Sequence, residues 1–257
     1  MLLEGKVAIV TGGNRGIGGA TSRVLAREGA TVTVACRDAA SGEAMAAAIR
    51  DGGGRAISVL ADVSRRADVD RMVGVTLEAF GGIDILVNNA GVDVGKPLLE
   101  TSEEDWDFIL DVNLKGHWLC AVACVPYMVE RGGGAIVNTS SVLALSSLPN
   151  SGVYSASKAG ILGLTRSMAI EWGPLGIRIN CVLPGSTDTD MMWVGLTPDE
   201  IPAERRRVDE ATPLGRVADP EEIAEATVWF CSSKASFATG SFLWLDGGTT
   251  ARSPNPR

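Results

Sequence analysis

A tyrosine and a lysine stand four residues apart in Tyr154-Ser155-Ala156-Ser157-Lys158, and a strongly helical stretch follows over 159–172. On a helix, positions four apart share one face. An ammonium beside a phenol favours phenolate and lowers the phenol's pKa. Such a pair can move a proton to or from a carbonyl or alcohol oxygen near neutral pH. Alone, the pair reads more simply as two surface side chains that happen to share a helix. The chemistry needs partners elsewhere in the chain.

A second constellation lies near the N-terminus. Residues 6–10 read as a strand, which runs into Thr11-Gly12-Gly13-Asn14-Arg15-Gly16-Ile17-Gly18 and then a helix over 15–28. Glycines there permit a tight turn and let a phosphate approach the free N–H groups of a helix N-terminus. The place between a first strand and its helix is the one a dinucleotide phosphate requires. At the end of the second strand the sequence is Ala35-Cys36-Arg37-Asp38. Arg37 and Arg15 suit a ribose 2′-phosphate, because guanidinium pairs well with phosphate oxygens. NADP(H) is therefore favoured. Asp38 keeps NAD(H) open, since a shift of one residue would bring a carboxylate to the ribose hydroxyl instead.

The elements that must carry these residues alternate. Strands are expected over 6–10, 31–36, 56–60, 83–87, 135–139, 177–182 and 242–245. Helices are expected over 15–28, 39–50, 67–80, 103–131, 157–172 and 219–231. This order implies an α/β fold: one doubly wound Rossmann-type domain, 1–257, with a mostly parallel seven-stranded sheet covered on both faces. Residues 186–213 are weakly patterned, with Met191-Met192-Trp193, Pro198, Pro202 and Arg205-Arg206-Arg207. A segment of that length in a compact domain reads as a lid over the substrate. Its apolar residues are either ordinary core or a pocket wall. The arginines read as a solvated helix face.

Composition narrows the class. The chain has 257 residues, 46% hydrophobic and 21% charged, with a net charge of −8 and a pI near 4.8. That charge argues against a general nucleic-acid binder. No signal peptide is read at the N-terminus, and no apolar run is read as long enough to span a bilayer. Cys36, Cys120, Cys124, Cys181 and Cys231 form no CxxC pair. They are expected to be reduced, buried thiols in a cytoplasmic protein. The single histidine, His117, cannot build a histidine metal site and is expected to be structural. No motif calls for a metal.

With the glycine loop and the Tyr154/Lys158 pair together, the chain resembles the short-chain dehydrogenase/reductase family over about residues 6–248. The loop is similar to the family's TGxxxGxG, Asn88-Asn89-Ala90-Gly91 to its NNAG, and Pro184-Gly185 with Thr189 to its PGxxxT. Asn113 matches the active-site asparagine, and Ser141 lies thirteen residues before Tyr154, as the catalytic serine does. Ser140 is then a satisfied loop serine. Pro213-Leu214-Gly215-Arg216 and Asp246-Gly247-Gly248 match the C-terminal portion.

The resemblance implies roles. Tyr154 would be the acid in reduction and the base in oxidation. Lys158 would lower its pKa and hold the nicotinamide ribose. Ser141 would bond the substrate oxygen, and Asn113 would position a water linking Lys158 to solvent. Gly12, Asn14, Arg15, Gly16, Ile17 and Gly18 would meet the phosphates, and Arg37 the 2′-phosphate. Asp62 and Val63 would lie along the adenine, with Asn88, Ala90 and Gly91 lining the groove. Pro184, Gly185, Thr187 (by backbone) and Thr189 (by side chain) would meet the nicotinamide end.

The implied activity is hydride transfer between NADP(H) and a ketone or secondary alcohol. The nearest general likeness is to 3-oxoacyl-carrier-protein reductases. Sugar, polyol and steroid dehydrogenases using NAD(H) share the frame and remain the alternative. A non-catalytic cofactor-binding regulator would be expected to lack residues at these positions. The family implies a homotetramer or homodimer, with no nucleic-acid or membrane partner.

Overall fold

The computed structural model describes residues 1–251; the polar run 251–257 lies, after its first residue, outside the described residues. Among the described residues seven strands form one sheet: β1 Val7–Thr11, β2 Thr31–Cys36, β3 Arg55–Leu60, β4 Ile85–Asn88, β5 Gly134–Thr139, β6 Ile177–Pro184 and β7 Phe242–Leu245. Their order is β3-β2-β1-β4-β5-β6-β7 and every pairing is parallel. β1, β2 and β4 are buried along their whole length, which their continuous apolar and β-branched runs dictate.

The described residues form eight α-helices: α1 Gly16–Arg27, α2 Ala39–Asp51, α3 Arg66–Phe80, α4 Glu103–Leu110, α5 Gly116–Glu130, α6 Gly152–Trp172, α7 Ile201–Ala211 and α8 Pro220–Cys231. Alternation along β1 sorts the core. Ala8 and Val10 face Val24 and Leu25 of α1 and Val228 of α8. Ile9 faces Met72 of α3 and Leu119 and Met128 of α5. Each fully buried valine, leucine, isoleucine or methionine among them contributes roughly 1.5–3 kcal/mol. Local signals start the helices: Ser102 with Asp105, and Asp219 with Glu222, form capping boxes.

The expected single helix over 103–131 is α4 and α5 joined through a π-helical turn, Asp111–Lys115. By length and composition the run Glu103–Glu130 could cross a membrane, which corrects the reading that no apolar run is long enough. Most of its apolar window is packed inside the protein, as in a core helix.

The segment 186–213 is more ordered than its sequence suggests. It holds a 3₁₀ turn, Asp190–Trp193, and α7. Asp188 accepts from the Trp193 indole at 2.7 Å and from Arg205 at 2.5 Å, and the Arg205 guanidinium lies 5.0 Å from the Trp193 ring centre. α7 carries Arg205-Arg206-Arg207, the residues read as a solvated helix face, and it buries no residue.

Candidate active site

The strand order reverses between β1 and β4, which opens a crevice at the carboxyl ends of the strands. The loops that leave β1, β4, β5 and β6 bring the predicted residues there. After β1 the chain turns at Gly12 and Gly16, both at positive φ (62° and 53°). A Cβ on Gly18 would strike the Gly12 carbonyl oxygen, so α1 can start only where a glycine allows this close approach. Arg15 precedes α1 without a side-chain cap, so the helix N-terminus keeps N–H groups for an anion. Ile17 packs its side chain on the core, and Asn14 reaches across to Ser41 of α2 at 2.8 Å.

The NNAG segment is tied to this loop by Asn89. Its amide donates to the carbonyls of Thr11 (3.1 Å) and Gly12 (3.3 Å), while Thr11 Oγ1 receives the N–H groups of Asn89 and Ala90. Asn88 does not line the groove with its side chain, contrary to expectation. It is fully buried and donates to the His117 carbonyl and to Asn138. Successive strand residues face opposite ways, so a shift of one position exchanges the two asparagines. Asn138, which binds Thr165 on α6, extends this buried network and carried no sequence signal.

At the adenosine end, Asp38 is spent as the N-cap of α2, accepting from Ala40 N–H at 3.0 Å. That use, with Arg15 nearby, holds its carboxyl below the usual range; the bond to Ser41 is the largest cause. Arg37 is exposed, 5.9 Å from the Phe108 ring centre, and Arg15 pairs with Asp190 at 3.5 Å. Asp62 accepts from Ser64 N–H and Oγ, and Val63 is buried with its side chain against Gly116.

At the nicotinamide end, buried Pro184 closes β6 and Gly185 packs against Asp246, where a Cβ would come within 2.8 Å of the Asp246 Cα. Thr187 turns its hydroxyl onto the Gly185 carbonyl. Thr189 reaches the glycine loop: its Cγ2 lies 3.3 Å from where a Gly16 Cβ would stand.

The four predicted catalytic residues converge. Ser140 gives its hydroxyl to the Lys158 carbonyl at 2.8 Å, which leaves Ser141 as the serine beside Tyr154. Ser141 in turn accepts from Leu143 N–H at 3.1 Å. Lys158 is 3% exposed; its ammonium donates to the Thr139 carbonyl at 2.8 Å and lies 5.5 Å from the Tyr154 ring centre. Asn113, in the π turn, brackets Val92 by accepting its N–H (2.8 Å) and donating to its carbonyl (2.9 Å), and it also donates to Ser157. A Cβ on Gly91 would stand 3.5 Å from both Asn113 Oδ1 and Lys158 Nζ. Glycine there keeps the approach to the ammonium clear.

The expected lowering of the Tyr154 pKa is not what the structure shows. Burial pushes the phenol up to about 12; the Ser141 hydroxyl pulls it down and the Asp93 carboxylate adds to the rise. The Lys158 ammonium donates a hydrogen bond to the Thr139 carbonyl, and burial brings its own pKa down to about 8. Tyr154 is therefore a neutral proton donor at physiological pH. His117 is buried, and burial, with the Lys158 ammonium, drives its pKa down to about 3, so it stays a neutral residue.

The glycine cradle, the uncapped helix N-terminus and the two arginines fit a dinucleotide carrying phosphates. Among the described residues no group of three or more His, Cys, Asp or Glu could hold a metal.

A family model described as Enoyl-(Acyl carrier protein) reductase matches residues 12–250. The chain is 41% identical to the 2,5-dichloro-2,5-cyclohexadiene-1,4-diol dehydrogenase of Sphingobium indicum over 251 residues, 97% of this chain and 98% of that one. It is 42% identical to the cis-4-hydroxycyclohexanecarboxylate dehydrogenase of Sinomonas cyclohexanicum over 248 residues, 96% and 97% of the two. The crystal structure of a protein described as a short-chain alcohol dehydrogenase from Sinorhizobium meliloti superimposes with a TM-score of 0.92 at 37% identity, covering 98% of each chain.

Proposed function

This chain belongs to the short-chain dehydrogenase/reductase family, and we propose that it interconverts ketones and secondary alcohols with NADP(H) as hydride carrier. That it is an oxidoreductase of secondary alcohols and ketones rests on the family and on the relatives' activities. The one observation that carries the mechanism is the convergence of Ser141, Tyr154 and Lys158 at the mouth of the glycine-lined crevice.

When bound, the nicotinamide supplies or accepts the hydride. The chain supplies the rest. Ser141 donates a hydrogen bond to the substrate oxygen and orients it. As a carbonyl carbon gains hydride, its oxygen becomes basic and takes the Tyr154 hydroxyl proton. The adjacent Lys158 ammonium stabilises the phenolate so formed. Oxidation runs the same transfers backwards. Asn113 holds Val92 so that Gly91 leaves room at the ammonium.

NADP(H) is supported by the guanidiniums of Arg15 and Arg37 at the β2 end and by the commitment of Asp38 to its helix cap. NAD(H) use by a polyol or steroid dehydrogenase is the second reading, kept by the partial masking of Arg15 by Asp190. The relatives named for ring alcohols favour a cyclic secondary alcohol over a 3-oxoacyl thioester. Five unpaired, buried thiols suit a reducing, cytoplasmic setting. Steady-state kinetics on a panel of cyclic ketones with both cofactors tests the reading. NADPH is expected to give the higher kcat/KM, and Arg37→Asp to reverse that order; an equal or better kcat/KM with NADH contradicts it.

A further inference from the structure

Three charged side chains stand near the end of β2, and two are already engaged. Arg15 faces Asp190 at 3.5 Å, and Asp38 caps α2. The third, Arg37, forms no ion pair among the described residues. What its guanidinium meets is the Phe108 ring, with 5.9 Å to the ring centre. The contact joins the end of β2 to α4, a helix far away in the chain. Phe108 is fixed there by its element. The Ser102/Asp105 capping box sets the start of α4. Val112, four residues on and so on the same side of the helix, is buried in one core cluster with Ala61 and Val63 at the end of β3. The Ala61 N–H donates to the Cys36 carbonyl at 2.9 Å, so the residue after Cys36 stands beside that end. The Phe108 ring itself is 42% exposed, more than packing alone would leave it.

We propose that Phe108 is a positioning residue for cofactor choice: its ring holds the Arg37 guanidinium at the end of β2, where the ribose 2′-phosphate of NADP(H) is read. This rests on the NADP(H) reading above and deepens it. An aromatic face attracts a guanidinium through its quadrupole. Unlike a carboxylate, the ring carries no net charge and accepts no conventional hydrogen bond. The guanidinium therefore keeps its positive charge and its N–H donors for the phosphate oxygens. Arg15 differs, because Asp190 competes with any phosphate for it. A free arginine side chain also loses rotamer freedom when it grips a ligand, and a neighbour that holds it beforehand reduces that loss. NAD(H) presents a hydroxyl in place of the 2′-phosphate, so it gains little from the same arrangement.

The probes are NADPH and NADH, with Kd measured by calorimetry on the full chain for wild type, Phe108→Leu and Phe108→Trp. Phe108→Leu keeps an apolar side chain and removes the ring. It is expected to weaken NADPH binding about 2- to 5-fold, the size of one exposed cation–π contact, and to leave NADH unchanged. Phe108→Trp is expected to match or exceed the wild-type affinity for NADPH, since indole is the best of the rings. With Arg37→Ala already in place, Phe108→Leu is expected to change neither Kd. An NADPH affinity unmoved by Phe108→Leu overturns the assignment, provided Arg37→Ala alone weakens NADPH; the NADP(H) reading then stands. An equal loss for both cofactors overturns it too, because the ring would then serve the adenine or the fold. So does a Phe108→Trp that loses as much as Phe108→Leu. If Arg37→Ala alone leaves NADPH binding unchanged, the reading of Arg37 as the phosphate's partner fails and takes this assignment with it.

Discussion

Lys158 shows what the site costs the fold. A buried ammonium with one carbonyl partner has its pKa brought down to about 8 from an ordinary 10.5. Below pH 8 the unfolded chain holds this proton more tightly than the folded one, so burial of the charged lysine is destabilising there. The penalty fades as pH rises from 8 toward 10.5. Lys158→Met is therefore expected to be inactive yet more stable than wild type at pH 7, by about 3 kcal/mol at most. The gap should narrow toward pH 10. Urea unfolding of both proteins at pH 7 and pH 10 checks this; a less stable variant at pH 7 contradicts it. At this scale the sequence was most legible. Tyr154 and Lys158 could be paired from their helical spacing, while Ser141 and Asn113 were legible only through the family resemblance. The direction of the Tyr154 shift could not be read, because it depends on how far burial outweighs the ammonium.

At the scale of elements, two buried polar braces stand at opposite ends of the sheet, Asn113 at the crevice and Asp84 at the amino ends of the strands. Asn113 carries the loop after β4 on the π turn, and Asp84 pins the start of β1 to the end of α5. Asp84 is buried, accepting from Val7 N–H at 2.9 Å, Lys6 at 3.1 Å and Arg131 at 3.0 Å. These bonds hold its carboxyl below the usual range although burial alone would raise it. Asp84→Asn is expected to cost about 1.5–3 kcal/mol, the range for hydrogen bonds to a charged group. The loss should be largest above the ordinary aspartate pKa and shrink in acid, where the wild-type carboxylate is protonated too. Thermal melts at pH 7 and pH 3 check it.

Gly91→Ala is a different kind of test. Its Cβ would make ordinary contacts at 3.5 Å, so the fold should keep its melting temperature while kcat falls, because the methyl fills the approach to Lys158. A variant with wild-type kcat would show that this space is idle. Most strands and helices were legible within a residue or two, since their periodicities are local. The π turn was not, because its signal is a buried asparagine's need for partners in another loop.

At the scale of the molecule, the sheet was legible from the alternation of strands and helices, and the reversal between β1 and β4 places the crevice. Assembly is a matter of the outer faces. Trp118 is 45% exposed beside Leu110, Leu114 and Leu164, which flank a shallow depression at Gly160 between α5 and α6. Trp244 on the edge strand β7 is exposed as well. We propose that these faces pack a dimer or tetramer through the long helices and the last strand. Sedimentation is expected to show an assembly for wild type and a smaller species for Trp118→Arg; a monomeric wild type contradicts it.

The account turns on Tyr154 as the proton donor in an NADPH-linked ketone reduction. The direct measurement is turnover of a cyclic ketone by wild type and Tyr154→Phe, with NADPH binding followed in parallel by cofactor fluorescence. The variant is expected to bind NADPH with a similar Kd and to lose about 10²–10⁴-fold in kcat, the range for one positioned acid. A variant that reduces the ketone as fast as wild type would contradict the mechanism.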